Sequence, residues 1–406
     1  MSPSRYTGSP VQEVETPNTE DQEVLLVDPS LFTAPYDASL SRGLRSANVR
    51  PIWATRQLRS NESDAFDKAD EVLRFFYPLT DGRRRRDGSA AKLVKGLEHL
   101  AGLRHLVAMA DKRSVATVHF QWSVLPLLDA IAIRRLQRKC PVILTVHDTA
   151  PFNGKRVSSA QRSGFHAVLE VADHLIVHTE AGRRTLMAMG IADTRMTVIP
   201  HGLLAVGMTP PRDRRSSARW TVIQFGKIQA YKGVDVLVEA LAHLPMDVRQ
   251  QLRVVVAGEP LIPLDPLIAR AAALGLSDVL EWRPGYLDDV AVEALLSEAD
   301  TFVFPYREIE ASGVFLLVAS TGAWIVASDL GAFSELVGSD GQVGQLVPPG
   351  HVEALAAALV GSIGRRPTRS IADAVPSWDA IGMRTAAVYR TAITQWQVAH
   401  RKSINA

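Results

Sequence analysis

The stretch from Ala299 to Val337, ADTFVFPYREIEASGVFLLVASTGAWIVASDLGAFSELV, decides how the rest of the chain is read. Thr301–Phe304 is a short apolar run that stops at Pro305, the pattern of a buried strand in a parallel sheet. A polar loop with Glu308 and Glu310 follows. Ser312-Gly313 then opens a helix-length apolar segment that closes at Thr321-Gly322. Trp324–Ala327 is the next strand, and it runs into a loop with Asp329, Gly331 and Glu335. Open α/β sheets bind ligands at the carboxyl ends of their strands. Small residues at Ser312-Gly313 let an anion such as a diphosphate approach first-turn N–H groups, and a nearby carboxylate suits sugar hydroxyls. An ordinary strand–loop–helix unit with solvated glutamates has the same pattern, so the stretch gains meaning only from what surrounds it.

Working outward, strands alternate with helices along nearly the whole chain, which predicts doubly wound parallel sheets. In the second half, Trp220–Phe225 runs into Gly226, Gly233–Leu244 is a helix, and Leu252–Ala257 runs into Gly258-Glu259. Pro266–Leu274, Leu280–Trp282 and Val290–Ala299 then lead into the opening stretch. In the first half the strands are Glu23–Val27, Pro51–Ala54, Ser114–Phe120, Pro141–Val146, Leu175–Val177 and Met196–Ile199. A helix is expected from about Ser39 to Leu44, and residues 60–90 read as charged and irregular. Thr209–Arg219 (TPPRDRRSSAR) is rich in proline, arginine and serine and reads as a linker. The expected division is a disordered tail at 1–22, a first domain at 23–205, a linker at 206–219, a second domain at 220–380 and a closing helix at 381–406.

With 406 residues, 47% hydrophobic and 22% charged, the chain has the composition and length of two ordinary globular domains. A net charge of +2 without a basic half gives no reason to expect nucleic acid. The single cysteine, Cys140, excludes an internal disulfide framework and reads as a buried thiol in a reducing compartment. No apolar run reaches the roughly 18–20 residues of a spanning helix. A cytoplasmic protein is expected, with peripheral contact to an anionic membrane left open. Two features keep it open: Arg83–Arg86 in a glycine-flanked loop, and the helix Ala91–Lys112, whose leucines interleave with cationic residues. That helix serves equally to pack against its own sheet.

The chemistry-bearing residues gather at strand ends. Lys232 sits before Gly233 at a helix start, where an ammonium meets a phosphate or simply solvent. His147-Asp148 ends the strand Pro141–Val146, and Trp122 ends Ser114–Phe120. A histidine at such an end is either a satisfied core residue or a partner for a sugar hydroxyl or proton. There is no D-x-D, H-E-x-x-H or paired cysteine, so no metal is expected. Neither a G-x-S-x-G elbow nor a G-x-G-x-x-G after the first strand is present.

Taken together, FGKIQAYKGVDVLVEAL (225–241), the stretch 305–336, VIPHGLL (198–204), TVHDTAP (145–151) and SWDAIGMRTAAVY (377–389) resemble, in order, the GT-B glycosyltransferases of the family 4 type, exopolysaccharide-type sub-branch. The resemblance implies two Rossmann-like domains facing a cleft. The first takes the acceptor and the second a nucleotide sugar, and the last helix crosses back. It implies that Gly226, Lys227 and Lys232 serve the diphosphate, with Ser312 and the N–H groups of Gly313 and Val314. Glu310, or Glu308 in the neighbouring register, holds donor-sugar hydroxyls, and Glu335 matches a further acidic position. His147 and Asp148 face the transferred sugar, while Tyr36, Asp37 and Trp122 are acceptor-side candidates.

The departures are specific. The residue eight beyond Glu310 is Val318, where the family carries a second glutamate, and Lys227 replaces an arginine. Pro35–Ser39 replaces a glycine-rich loop. The implied activity is sugar transfer from a nucleotide-diphosphate donor to a glycan, lipid-linked or small-molecule hydroxyl, with retention and without metal. An inverting variant would take Asp37 or Asp148 as base. Two rivals stay open: a GT-B epimerase or phosphorylase, and a non-catalytic partner subunit suggested by Val318.

Overall fold

A computed structural model describes residues 22–60, 62–81, 89–149, 159–204, 219–309 and 312–404. The tail before Gln22, Arg83–Arg86, Glu310 and nearly all of the linker stretch lie outside the described residues. Among those described, the chain forms two parallel sheets. The first holds β1 (Gln22–Asp28), β2 (Val49–Arg56), β3 (Glu71–Phe76), β4 (Thr117–Phe120), β5 (Val142–Val146), β6 (His174–Val177) and β7 (Met196–Val198), in the order β3-β2-β1-β4-β5-β6-β7. The second holds β8 (Trp220–Phe225), β9 (Leu252–Gly258), β10 (Leu280–Pro284), β11 (Thr301–Phe304), β12 (Trp324–Ser328) and β13 (Gly344–Val347), in the order β10-β9-β8-β11-β12-β13. Both orders reverse direction beside the first strand of their sheet, which opens a crevice at the carboxyl edge.

Helices cover the sheets: α1 (Ala34–Ser46), α2 (Ser89–Arg113), α3 (Pro126–Leu136), α4 (Ser159–Val171) and α5 (Glu180–Ala188) in the first half. The second half has α6 (Val234–Ala242), α7 (Met246–Gln251), α8 (Asp265–Ala273), α9 (Asp289–Glu298), α10 (Gly313–Val318), α11 (Gly331–Val337) and α12 (Val352–Ser362), and α13 (Trp378–Ile404) closes the chain. Side chains alternate faces along each strand. Leu25, Val27, Ile52, Val118 and Leu144 therefore share one core with Leu103 and Leu106 of α2. Val24, Leu26, Trp53, Ile143 and Ile176 share another with Leu40 and Leu44 of α1 and with Ile381 and Tyr389 of α13. The end of the chain thus covers the second face of the first sheet. Tyr389 is fully buried there, its hydroxyl 2.7 Å from His119 Nδ1, and Trp396 Nε1 donates to Gln137 O at 2.7 Å.

Three sequence expectations change. The helix expected from Ser39 begins at Ala34, because Pro35 occupies its first turn, where a missing N–H costs nothing. The segment read as irregular contains β3, and β13 follows α11 where no strand was expected. Both are edge strands, and β3 is only partly buried, so neither carries the continuous apolar run that marks a central strand. Cys140 is buried, and burial pushes its thiol up to about 12.

Candidate active site

Strand register assembles the first half of the site. Val146 pairs with Val177 and Val177 with Val198, so His147, His178 and, a little further on, His201 leave adjacent strands on one edge. Their rings enclose Tyr36, with centroids 4.9, 5.5 and 4.8 Å from its own, and Trp378 of α13 closes the cage at 5.2 Å. Burial pushes His178 down to about 4 and His201 to about 3, and holds His147 well below the usual histidine range. These rings are neutral near pH 7, and their partners then set the tautomers. His178 Nδ1–H donates to Ile199 O at 2.9 Å, so its Nε2 accepts from His147 Nδ1–H at 3.1 Å. The lone pair of His147 Nε2 then faces Gln121 Oε1 at 3.3 Å, itself an acceptor, and so takes no hydrogen bond from that side chain. His147 is partly exposed and stacks on Trp122 at 4.9 Å.

Tyr36 and Asp37 lie behind this edge, 4% and 0% exposed. Burial, and then the charge of Asp28, push the Asp37 carboxyl well up; Asp28, equally buried, is raised as well. Two buried carboxyls this close share a proton. Thr33 Oγ1 donates to Asp37 Oδ1 at 3.3 Å, and apart from the proton shared with Asp28, Asp37 Oδ2 has no donor among the described residues.

The second half of the site is built on glycines. Gly226 follows β8, and its N–H donates to Ala257 O at 3.0 Å. A Cβ on Gly258 would lie 2.2 Å from Gly226 O, and one on Gly233 would lie 1.9 Å from Pro305 O. Gly233 also has φ +66°, which glycine adopts without strain. The ends of β8, β9 and β11 therefore meet backbone to backbone. Lys232, one residue before Gly233, is only 7% exposed, and its ammonium would stand 2.9 Å from a Cβ on Gly226. It lies over the Tyr306 ring at 5.2 Å, and no carboxylate among the described residues is in ion-pair range. Burial lowers its pKa. Lys227 is exposed.

Ser312 caps α10, its Oγ accepting from Phe315 N at 3.3 Å, while a Cβ on Gly313 would lie 3.5 Å from the Leu204 side chain of the first half. Val314 packs within 3.1 Å of a Cβ on Gly226, so the α10 start and the Lys232 loop adjoin. Glu308 is exposed and lines a cavity of about 470 Å³ with Tyr231, Asp235 and Arg307.

The halves face each other. Burial raises the Tyr231 phenol, the Lys232 ammonium opposes that, and the charges of Tyr306 and of Asp148, from the first half, add smaller increments. Glu335 reaches the first half outright: its Oε1 accepts from the N–H groups of Glu180 at 2.8 Å and Ala181 at 3.3 Å, at the start of α5. A cavity of about 170 Å³ beside it is lined by His178, His201, Leu316 and Leu336. Sequence reasoning missed His178, His201 and Trp378 as part of this cage; the signal available was their shared position at strand ends and at the start of the last helix. Among the described residues no group of three or more His, Cys, Asp or Glu is arranged to hold a metal ion.

Two Rossmann-like domains with strand-end sites turned toward one cleft define the GT-B fold. Sucrose-phosphate synthase from Thermosynechococcus elongatus shares it with a TM-score of 0.68 at 17% identity, over 91% of this chain and 98% of that one. Anabaena Alr3699/HepE, solved in complex with UDP and glucose, shares it with a TM-score of 0.63 at 17% identity, over 94% and 99%. Family models match in tandem, Glycosyltransferase Family 4 over residues 38–203 and Glycosyl transferases group 1 over 211–362. The chain belongs to the family 4-like GT-B glycosyltransferases. A curated relative, the MMP alpha-(1->4)-mannosyltransferase of Mycolicibacterium hassiacum, is 30% identical over 238 residues, 56% of each chain. The chain spans about half the length of the first curated relatives it matches, 56% and 45% for two of them.

Proposed function

We infer that the protein is a glycosyltransferase that moves a sugar from a nucleoside-diphosphate donor to a hydroxyl of a glycan, lipid-linked or small-molecule acceptor, with retention and without a metal ion. The observation that carries this reading is Lys232: a buried ammonium with no carboxylate partner among the described residues, beside the backbone of Gly226 and the start of α10. A fold keeps such a charge at a cost, and a bound diphosphate would supply its missing partner. Lys232, exposed Lys227 and the Gly313 and Val314 N–H groups would stabilise charge building on the leaving phosphate, without a D-x-D carboxylate set to hold a cation. His147 Nε2, an acceptor in the neutral cage, would orient a sugar hydroxyl. In a retaining transfer the leaving oxygen takes the acceptor proton on the same face. Of the two carboxyls that an inverting transfer could use, Asp37 is unsuited, since a fully buried, proton-sharing carboxyl is a poor base for an acceptor in the cleft.

No helix among the described residues is long and apolar enough to cross a membrane. Exposed Leu93, Val94 and Leu97 beside Lys92 on α2 suit peripheral contact with an anionic bilayer from the cytoplasmic side. The test is a thermal-shift panel of UDP, GDP, ADP and TDP, with and without EDTA, on the wild type and Lys232→Ala. Stabilisation by one nucleotide, insensitive to EDTA and lost in the variant, is expected. No response to any nucleotide would overturn the transferase reading in favour of a non-catalytic partner subunit.

A further inference from the structure

The loop between β1 and α1, Asp28–Thr33, is held more tightly than a connection needs. The buried Asp28 carboxylate accepts from Ser30 N at 3.2 Å and from Thr33 N at 3.3 Å, and Arg56 Nε donates to Ser30 O at 2.9 Å. Thr33 Oγ1 accepts from Trp122 Nε1 at 3.0 Å, which ties the loop to the end of β4. Within this frame Leu31 has φ +49° and is buried. A non-glycine residue in that region persists only where its surroundings over-determine it, and such strain gathers at ligand sites. Its consequence here is local. Leu31 turns inward, and the next residue, Phe32, is turned out to 61% exposure.

Phe32 is no stray surface aromatic. Its ring meets Trp122 edge-on with centroids 5.4 Å apart, and Trp122 stacks on His147 at 4.9 Å and 12°. Three rings therefore run from solvent to the histidine at the cleft, and the outermost has its surface free. The indole N–H of Trp122 is spent on Thr33, so the ladder offers ring surface and not a donor. Large rigid aromatic faces bind partners that are apolar on one side and polar at the rim. A pyranose ring has that character, with axial C–H groups on one face and hydroxyls around its edge.

We propose that Phe32, seated on Trp122, is the platform on which the sugar ring of a glycan or glycoside acceptor stacks beside His147. This rests on the transferase reading and adds the acceptor's class: a pyranoside in preference to an unglycosylated lipid phosphate. Stacking of this kind amounts to about a 3- to 10-fold gain in affinity.

The experiment is saturation-transfer NMR of methyl α-D-mannopyranoside and methyl α-D-glucopyranoside on the full chain, with UDP or GDP present. Wild type, Phe32→Ala and Phe32→Trp are compared. Saturation of the ring C–H face is expected in the wild type, a 3- to 10-fold loss in Phe32→Ala, and recovery in Phe32→Trp. Nucleotide thermal shifts, read in parallel, should be the same in all three, which confirms folding and separates the two readings. Signals that survive in Phe32→Ala, or are absent from the wild type for both glycosides, would overturn the platform even where nucleotide binding stands.

Discussion

Replacing Lys232 by methionine removes a cation that the fold holds at 7% exposure with no carboxylate partner among the described residues. An unpaired buried charge costs several kcal/mol even after relaxation. The Tyr306 ring beneath it returns about 0.5–2 kcal/mol of cation–π attraction. Methionine has nearly the same length and no charge, so the ligand-free protein should gain about 1–3 kcal/mol. At about 2–4 °C per kcal/mol for a domain of this size, thermal unfolding shifts upward by several degrees. The gain depends on pH in a defined sense. Burial lowers the folded pKa of Lys232 below its ordinary 10.5, so between the two values the unfolded chain carries the extra proton. Wild-type stability therefore rises with pH through that window, and the advantage of the variant shrinks toward pH 10.5. Nucleotide should act oppositely. At 100 times its Kd a ligand stabilises by about 2.7 kcal/mol, and the variant should lose that shift. Differential scanning fluorimetry from pH 7 to 11, with and without the nucleotide found in the panel, reads both effects. A variant that is less stable without ligand, and still stabilised by nucleotide, would refute the reasoning.

Three further outcomes are expected. His119, His147, His178 and His201 all have folded pKa values lowered by burial, so the unfolded chain protonates first as pH falls below about 6.5. Each then costs about 1.4 kcal/mol of stability per pH unit, and urea unfolding at pH 7.5, 6.0 and 5.0 should show a steep combined loss, which a flat profile would contradict. In the Asp28–Asp37 pair the raised folded pKa makes stability fall as pH rises, so Asp37→Asn, which keeps a donor without the charge, should be more stable by about 1–2 kcal/mol at pH 8 and show no advantage at pH 4. Glu335→Gln removes a charge from the start of α5 and should loosen the two halves by about 0.3–1 kcal/mol, seen as a larger radius of gyration in small-angle scattering; an unchanged radius would deny that contact any part in holding the cleft.

Much of the architecture was legible because burial on both faces writes itself into continuous apolar runs. PVILTV, WTVIQF and TFVF are such runs, and the residues that follow them, His147, Gly226 and the Glu308 loop, were recognisable by position alone. β3 and β13 escaped because edge strands are only partly covered. The start of α1 is ambiguous in sequence because a proline marks a loop and a helix's first turn alike, and Pro35 occupies the first turn.

Local sequence thus determined the alternation of strand and helix, the glycines at strand ends and the lysine before Gly233, since each depends on contacts within a few residues. Tertiary structure alone decided which side chains share a space. Tyr36, an acceptor-side candidate by the family resemblance, sits at the centre of a cage made by His147, His178, His201 and Trp378, from points as far apart as 36 and 378 in the chain. Glu335 meets α5 across the cleft, and Phe32 faces solvent because a buried Leu31 is held at φ +49°. Strand register and domain apposition set these positions, and both come from summed packing over hundreds of residues that no local motif encodes.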